Sequence, residues 1–227
     1  MILKKWMDQQ RTELMKNIDL NGSKNLQLVR GGTDEWYWSM DYTSGDLYEA
    51  EELFRMKHEV ECNSLYLIHY PDGKVYEPVP RAKDRYLGEP VYDGGAVAIL
   101  MVDFAESSIH ILRFDPARGK AMETVQLPLP SVKNCYNLLL RTSPLMLTRR
   151  ANDNTFEIVW PERVQFPVGD TEYFNFRDGD KLYFTAWYED PEYHEETVVR
   201  ALRTGEILDR FPGDIWIMPN GNKWHLK

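Results

Sequence analysis

The chain has 227 residues, a mass of 26.7 kDa and a formal net charge of −9. A chain of this size buries about 70–75% of the surface it exposes when unfolded, so it needs no disulfide or metal staple to hold a core. The negative charge repels a polyphosphate, and no basic spot larger than the pair Arg149 and Arg150 opposes it, which argues against nucleic acid as a partner.

Two cysteines, Cys62 and Cys135, are too few for a disulfide framework and read as reduced, half-buried thiols. The first twenty residues lack the apolar run of a secretory signal, which is about 7–15 residues long. No later stretch approaches the roughly 18 apolar residues of a membrane helix. The expectation is a cytoplasmic protein with no membrane association. Asn21-Gly22-Ser23 matches a glycosylation sequon, a pattern too loose to carry weight.

In chain order, residues 2 to 17 predict a helix. Ile2, Leu3, Trp6, Met7, Leu14 and Met15 fall near helical spacing, with Lys4, Lys5, Asp8 and Arg11 on the opposite side. Asn21-Gly22-Ser23 then breaks the chain. This helix is expected to pack on the main body as a lid, or to serve as a handle for a partner in a larger complex.

From residue 34 the period switches to two. In DEWYWSMDY, Trp36, Trp38 and Met40 point one way and Tyr37, Ser39 and Asp41 the other. DLYEAEELF, SLYLIHY and KVYEPV follow and are also read as strands. Gly45, Asp72-Gly73, Gly94-Gly95, Asp178-Gly179 and Asn220-Gly221 punctuate the strands with residues that accept positive φ. At least a dozen short strands result, and the high aromatic content, 13%, suits them.

One unit recurs. LYLIHYPDGKVYEPVP (65 to 80), ILRFDPARGKAMETVQLPLP (111 to 130) and TVVRALRTGEILDRFPG (197 to 213) each give a strand, a glycine turn, and a second strand reaching proline. Their turn glycines, Gly73, Gly119 and Gly205, stand 46 and 86 residues apart, which leaves room for one further copy. NTFEIVWPERVQFPVG (154 to 169) fills it without a turn glycine. A period of about 40–50 residues with about four strands in each marks a β-propeller. The FDPARGK hairpin resembles the outer hairpin of quinoprotein and WD-type propeller blades, although the Trp-Asp dipeptide and the glycine-tryptophan motifs of those families are absent. The resemblance is to an architecture and implies no particular functional family.

The fold expected is therefore all-β, a five-bladed propeller preceded by the N-terminal helix. Residues 1–33 form the helix and closing segment, and 34–227 the propeller-like domain. Blades fall near 34–80, 88–130, 134–167 and 171–212. DIWIMPNGNKWHLK supplies two strands of a fifth, and NLQLV at 25 to 29 a further strand that closes the ring. The alternative is a β-sandwich or open barrel built from the same strands.

No glycine-rich phosphate loop, His-Glu-x-x-His, Cys-x-x-Cys or Gly-x-Ser-x-Gly element occurs. No metal and no cofactor is expected. Two places hold candidate ligand-binding residues. Trp36, Trp38 and Asp41 lie on a first-blade strand, where an indole face and a carboxylate suit a sugar or a peptide. Trp187, Glu189 and His194 lie in WYEDPEYHEE, a crowded acidic hairpin that could dock a basic partner. The strand histidines His69 and His110 hold matching places in successive copies and read as structural.

These features favour a non-catalytic binding or scaffold module that presents loops to a protein or carbohydrate. The alternative is a carbohydrate-active hydrolase using two axial carboxylates, with Asp34, Asp41, Asp103 and Glu189 as candidates. What fills the axis separates the two. Converging carboxylates with aromatic walls favour the enzyme, and a plug of Leu, Val and Met excludes it.

Overall fold

The structure, a computed structural model, describes residues 16–23, 25–218 and 221–227. The helix expected over residues 2–17 falls almost entirely outside them. Among the described residues the chain forms nineteen strands and one α-helix, with small sheets in a β-propeller-like arrangement. None of these residues forms a helix long and apolar enough to cross a membrane.

The first blade orders β1 (Gln27–Leu28), β2 (Trp36–Met40), β3 (Leu65–His69) and β4 (Lys74–Tyr76) side by side, all antiparallel. Between β2 and β3 lies α1 (Leu47–Arg55). The sequence DLYEAEELF reads as a strand by its alternation, and here that expectation is corrected. Asp46 and Glu49 form a capping box: the Asp46 side chain accepts from the Glu49 amide, and the Glu49 side chain accepts from the Asp46 amide. Leu47 and Ala50 then turn inward, and buried Glu51 accepts from the Cys135 amide at 2.6 Å and from Arg55 at 2.6 Å. The helix thus ties the first blade to the entrance of the third.

The second blade contains β5 (Arg85–Leu87), β6 (Val91–Asp93), β7 (Ala96–Asp103), β8 (Ser108–Asp115) and β9 (Lys120–Pro128). Both β5 and β6 pair with β7, with Leu87 opposite Met101 and Val91 opposite Ala98. Four steps on one side match three on the other. The two segments therefore form one inner strand interrupted by a bulge at Glu89 and Pro90. Proline has no N–H to give to the ladder, so a bulge is where a strand tolerates it.

The third blade is β10 (Leu138–Arg141), β11 (Met146–Arg150), β12 (Thr155–Trp160) and β13 (Val164–Pro167). The fourth is β14 (Glu172–Asp178), β15 (Lys181–Tyr188), β16 (His194–Ala201) and β17 (Ile207–Pro212). The last two strands, β18 (Asp214–Ile217) and β19 (Lys223–Leu226), pair only with each other. There are four blades, not five. Among the described residues no further strand joins this hairpin, and the segment expected to close a fifth blade supplies β1, the edge of the first.

Gly73, Gly119 and Gly205 occupy equivalent turns, each between the third and fourth strands of its blade, with φ of +66°, +66° and +71°. In each, the glycine amide donates to the carbonyl four residues earlier, namely His69, Asp115 and Ala201.

Three apolar clusters glue the blades. Trp36, Trp38, Leu67, Ile99 and Phe114 fill the space between the first and second. Val102, Ile109, Ile111, Leu138 and Leu147 join the second to the third, with α1 closing one end. Phe156, Phe166, Phe174 and Phe184 join the third to the fourth, with ring centroids 5.0–6.3 Å apart. Each sheet is too thin to shield its own faces, so stacking supplies the burial, at about 25 cal/mol per Å² of apolar area. Cys62 and Cys135 are free thiols; Cys135 is buried, and burial pushes both thiols up from their ordinary pKa.

Candidate ligand site

The first strand of every sheet runs toward one place. Residues 28–33 at and beyond β1, the Glu89–Pro90 bulge with Val91, residues 139–143 of β10 and its turn, and residues 173–175 of β14 surround a cavity of about 680 Å³. These are the innermost strands, and the cavity is axial. The hairpin strand β18 walls its remaining side with Asp214, Ile215, Trp216 and Ile217.

Backbone contacts fix the inner strands to one another. Arg30 forms an isolated parallel bridge with Val91, and the Tyr92 amide donates to the Arg30 carbonyl at 2.6 Å. Thr142 Oγ1 donates to the Tyr92 carbonyl at 2.5 Å. Asp93 is the node behind them: Oδ1 accepts from the Ser143 amide at 3.2 Å and Oδ2 from Arg113 at 3.1 Å. Three blades thus meet within one hydrogen-bonded knot at the rim. Gly31, with φ of +118°, makes the approach feasible, since a Cβ there would lie 2.0 Å from the Tyr92 carbonyl oxygen.

The hairpin is anchored through Asp214. Its Oδ1 accepts from Asn175 Nδ2 at 3.1 Å, from the Ile215 amide at 2.8 Å and from Thr185 Oγ1. Thr197 Oγ1 donates to the Gly213 carbonyl at 2.8 Å, and Lys223 pairs with Asp178 at 2.9 Å. Trp216 and Trp224 face each other across the two strands and remain 58% and 56% exposed.

The walls are mixed. Trp38, Tyr173, Phe174 and Trp216 offer aromatic surface, and Val29, Val91 and Leu140 aliphatic surface. Arg30, Glu89, Arg141 and Asp214 bring charge. Asp214 is consumed by the bonds just described. Arg141 is not so engaged. Its Nε is buried without a hydrogen-bond partner, and among the described residues no carboxylate or carbonyl bonds its guanidinium. The group lies over the Phe174 ring, 5.7 Å from the centroid. Burial first, and then the neighbouring charge of Arg30, pull the Arg141 pKa down to about 10, with Glu89 acting the other way. Arg141 also lines a smaller cavity of about 140 Å³ between the third and fourth blades.

Arg141 is half-buried, and three other arginines of these two blades, the buried Arg149 and Arg200 and the half-buried Arg150, are paired. Arg149 donates to Asn134 at 2.7 Å and Glu157 at 2.8 Å. Arg150 donates to the carbonyls of Gly169, Asp170 and Glu172 at 2.6–3.1 Å. Arg200 binds both oxygens of Glu172.

Of the residues expected to bind ligand, Trp38 lines the cavity. Trp36 packs between blades against His69, Tyr76 and Phe114, at centroid distances of 4.9–5.9 Å. Asp41 caps its own turn, accepting from Thr43 Oγ1 at 2.8 Å and the Ser64 amide at 3.2 Å. Trp187 and His194 stand on the β15–β16 hairpin, with His194 stacked on Tyr188 at 5.0 Å, and Glu189 lies in its loop. None of the three lines the cavity; from the same hairpin, the charge of Glu195 acts on Tyr173, which does. Asp34, Asp41, Asp103 and Glu189 do not line the cavity; among the described residues the carboxylates that do are Glu89 and Asp214. The axis is neither plugged by Leu, Val and Met nor walled by the expected acids.

Sequence reasoning passed over Arg30, Glu89 and Arg141. The available signals were an Arg ending the apolar strand LLLR and a Glu-Pro pair splitting Leu87 from Val91. His110 is held between Ser108 Oγ at 2.7 Å and Glu123 at 2.5 Å. With Ser108 and His110 buried, this chain of bonds braces β8 against β9.

Among the described residues no group of three or more His, Cys, Asp or Glu is placed to hold a metal ion. Neither family models nor curated proteins give a match to this sequence.

Proposed function

We propose that this protein is a non-catalytic binding module whose ligand is a small molecule held in the axial cavity. The observation that carries the reading is the convergence of the inner strands of all four blades, with β18, on one cavity of about 680 Å³. Ligand sites of proteins range over about 300–1,000 Å³ and combine apolar walls with a few polar groups. The walls here have that composition. The absence of a catalytic signature from the sequence is consistent with binding alone.

A thermal-shift screen of sugars, short peptides, amino acids and organic acids tests this, since a ligand that binds only the folded state raises the melting temperature. Leu139 lines the cavity and is only half-buried, so Leu139→Trp fills the space with little strain elsewhere. The compounds that stabilise the natural protein are expected to lose their effect on the variant. Equal stabilisation of both proteins places the ligand elsewhere and ends the proposal.

A further inference from the structure

We infer that the axial cavity takes a ligand with one anionic head group, bound by Arg141 with Arg30 beside it, on a flat apolar body that lies against the aromatic wall. This rests on the binding-module reading and specifies the chemistry of its ligand.

The argument starts from desolvation. A guanidinium withdrawn from water without a partner is costly, and buried charges in proteins are paired as a rule. Arg149, Arg150 and Arg200 obey that rule within the same two blades. Arg141 departs from it: Arg149, whose Nε is likewise buried without an acceptor, donates through both terminal nitrogens, whereas neither the buried Nε of Arg141 nor its terminal nitrogens bond an acceptor among the described residues. A second cation, Arg30, shares the cavity and is close enough to act on Arg141. Two like charges at the rim of a concave site, in a protein whose net charge is −9, are not explained by solubility. They are explained by an acceptor that arrives with the ligand. A guanidinium offers planar, forked donors that match carboxylate, sulfonate and phosphate oxygens.

The remaining walls set the body of the ligand. Phe174 lies under Arg141, and Tyr173, Trp38 and Trp216 line the same space. Such faces pack on flat apolar groups. Glu89, on the bulge of the second blade, faces the same cavity and disfavours a second negative charge on the ligand. One anionic end and an uncharged body follow.

Two fluorescent probes of nearly the same body separate charge from shape. These are 1-anilinonaphthalene-8-sulfonate, an anion, and N-phenyl-1-naphthylamine, which is neutral. Titrated into the natural protein, the sulfonate is expected to bind more tightly than the neutral probe. Arg141→Met is expected to weaken the sulfonate by about tenfold to a hundredfold and to leave the neutral probe within about twofold, as loss of one charge-assisted hydrogen-bonding group requires. Benzoate is expected to displace the sulfonate at lower concentration than inorganic phosphate, because phosphate lacks the body. Displacement by phosphate alone would reject the apolar half of the inference. A second readout needs no ligand. Removal of a half-buried cation that has no protein partner among the described residues should leave Arg141→Met at least as resistant to urea as the natural protein. Marked loss of stability would make Arg141 a structural residue and overturn the inference. Equal binding of both probes, unchanged by Arg141→Met, would also overturn it while leaving the cavity as a ligand site. Failure of both probes to bind would remove the binding-module reading as well.

Discussion

Arg200 and Glu172 form a forked pair across the width of the fourth blade. Arg200 Nε and Nη2 donate to the two oxygens of Glu172, each at 2.8 Å, with both side chains buried. Glu172 lies on β14 and Arg200 on β16, so the pair spans β15, where the guanidinium also lies 6.0 Å from the Phe184 ring centroid. Arg200 Nη1 donates to the Gly205 carbonyl at 2.7 Å, which extends the brace into the outer turn. Glu172→Gln leaves that cation buried and half-satisfied. The expected loss is about 3–5 kcal/mol in urea unfolding. A paired replacement of both residues by methionine should recover most of it. If Glu172→Gln alone is neutral, the pair does not hold the blade.

Gly31 makes a second prediction. Its φ is positive, and a methyl group added there would lie 2.0 Å from the Tyr92 carbonyl oxygen, which leaves no room for a side chain. Gly31→Ala should cost about 2–3 kcal/mol from backbone strain and clash, measured by thermal or urea unfolding. Because the same contact sets the spacing of Arg30 from the second blade, the sulfonate probe should also bind more weakly. Gly179→Ala is the control: its φ is positive, +57°, but nothing lies within 4 Å of the added methyl. It should cost distinctly less.

Acid stability follows from Asp103. Burial pushes its carboxyl up, but bonds from the Glu106 amide at 2.9 Å and Arg85 at 2.6 Å outweigh burial and hold it below the ordinary value of 3.8. A carboxyl depressed in the folded state contributes stability that is present above the unfolded-state pKa. That contribution declines as the pH falls below about 4 and is lost once the lower, folded-state value is passed. Asp41, depressed by its Ser64 and Thr43 bonds against the opposing effect of burial, adds to the same limb. Urea midpoints followed from pH 7 to pH 2 should show this decline. Asp103→Asn should lower the plateau and flatten the acid limb. An unaltered limb would mean that Asp103 titrates alike in both states.

The outer hairpins are the legible part of the fold. Gly73, Gly119 and Gly205 announce themselves because a tight turn at positive φ selects glycine whatever the tertiary setting. The expected fifth blade fails for a related reason. DIWIMPNGNKWHLK carries the same local signals as a blade edge, and local signals do not reveal whether a neighbouring strand exists to pair with it. For residues 46 to 54 the sequence does hold the corrective signal, since Asp46 and Glu49 stand at capping-box spacing. The cavity is beyond reach. Its walls come from strands and turns spread from Leu28 to Gly221, and an arginine ending an apolar strand looks the same whether it meets water, a carboxylate or a ligand. Trp38 is legible because aromatic alternation marks a buried strand face. The same signal selects Trp36, on that face, although it serves only as filler between blades.

Each blade is cut from one uninterrupted length of chain, and the hairpin that walls the cavity follows all four. Local antiparallel pairing of this kind lets sheets form in turn as a nascent polypeptide emerges, without waiting for distant partners. A chain released before Asp214 would therefore carry the strands of all four blades around a hollow without its β18 wall. The wall that β18 gives the cavity would be the last of these elements to be added.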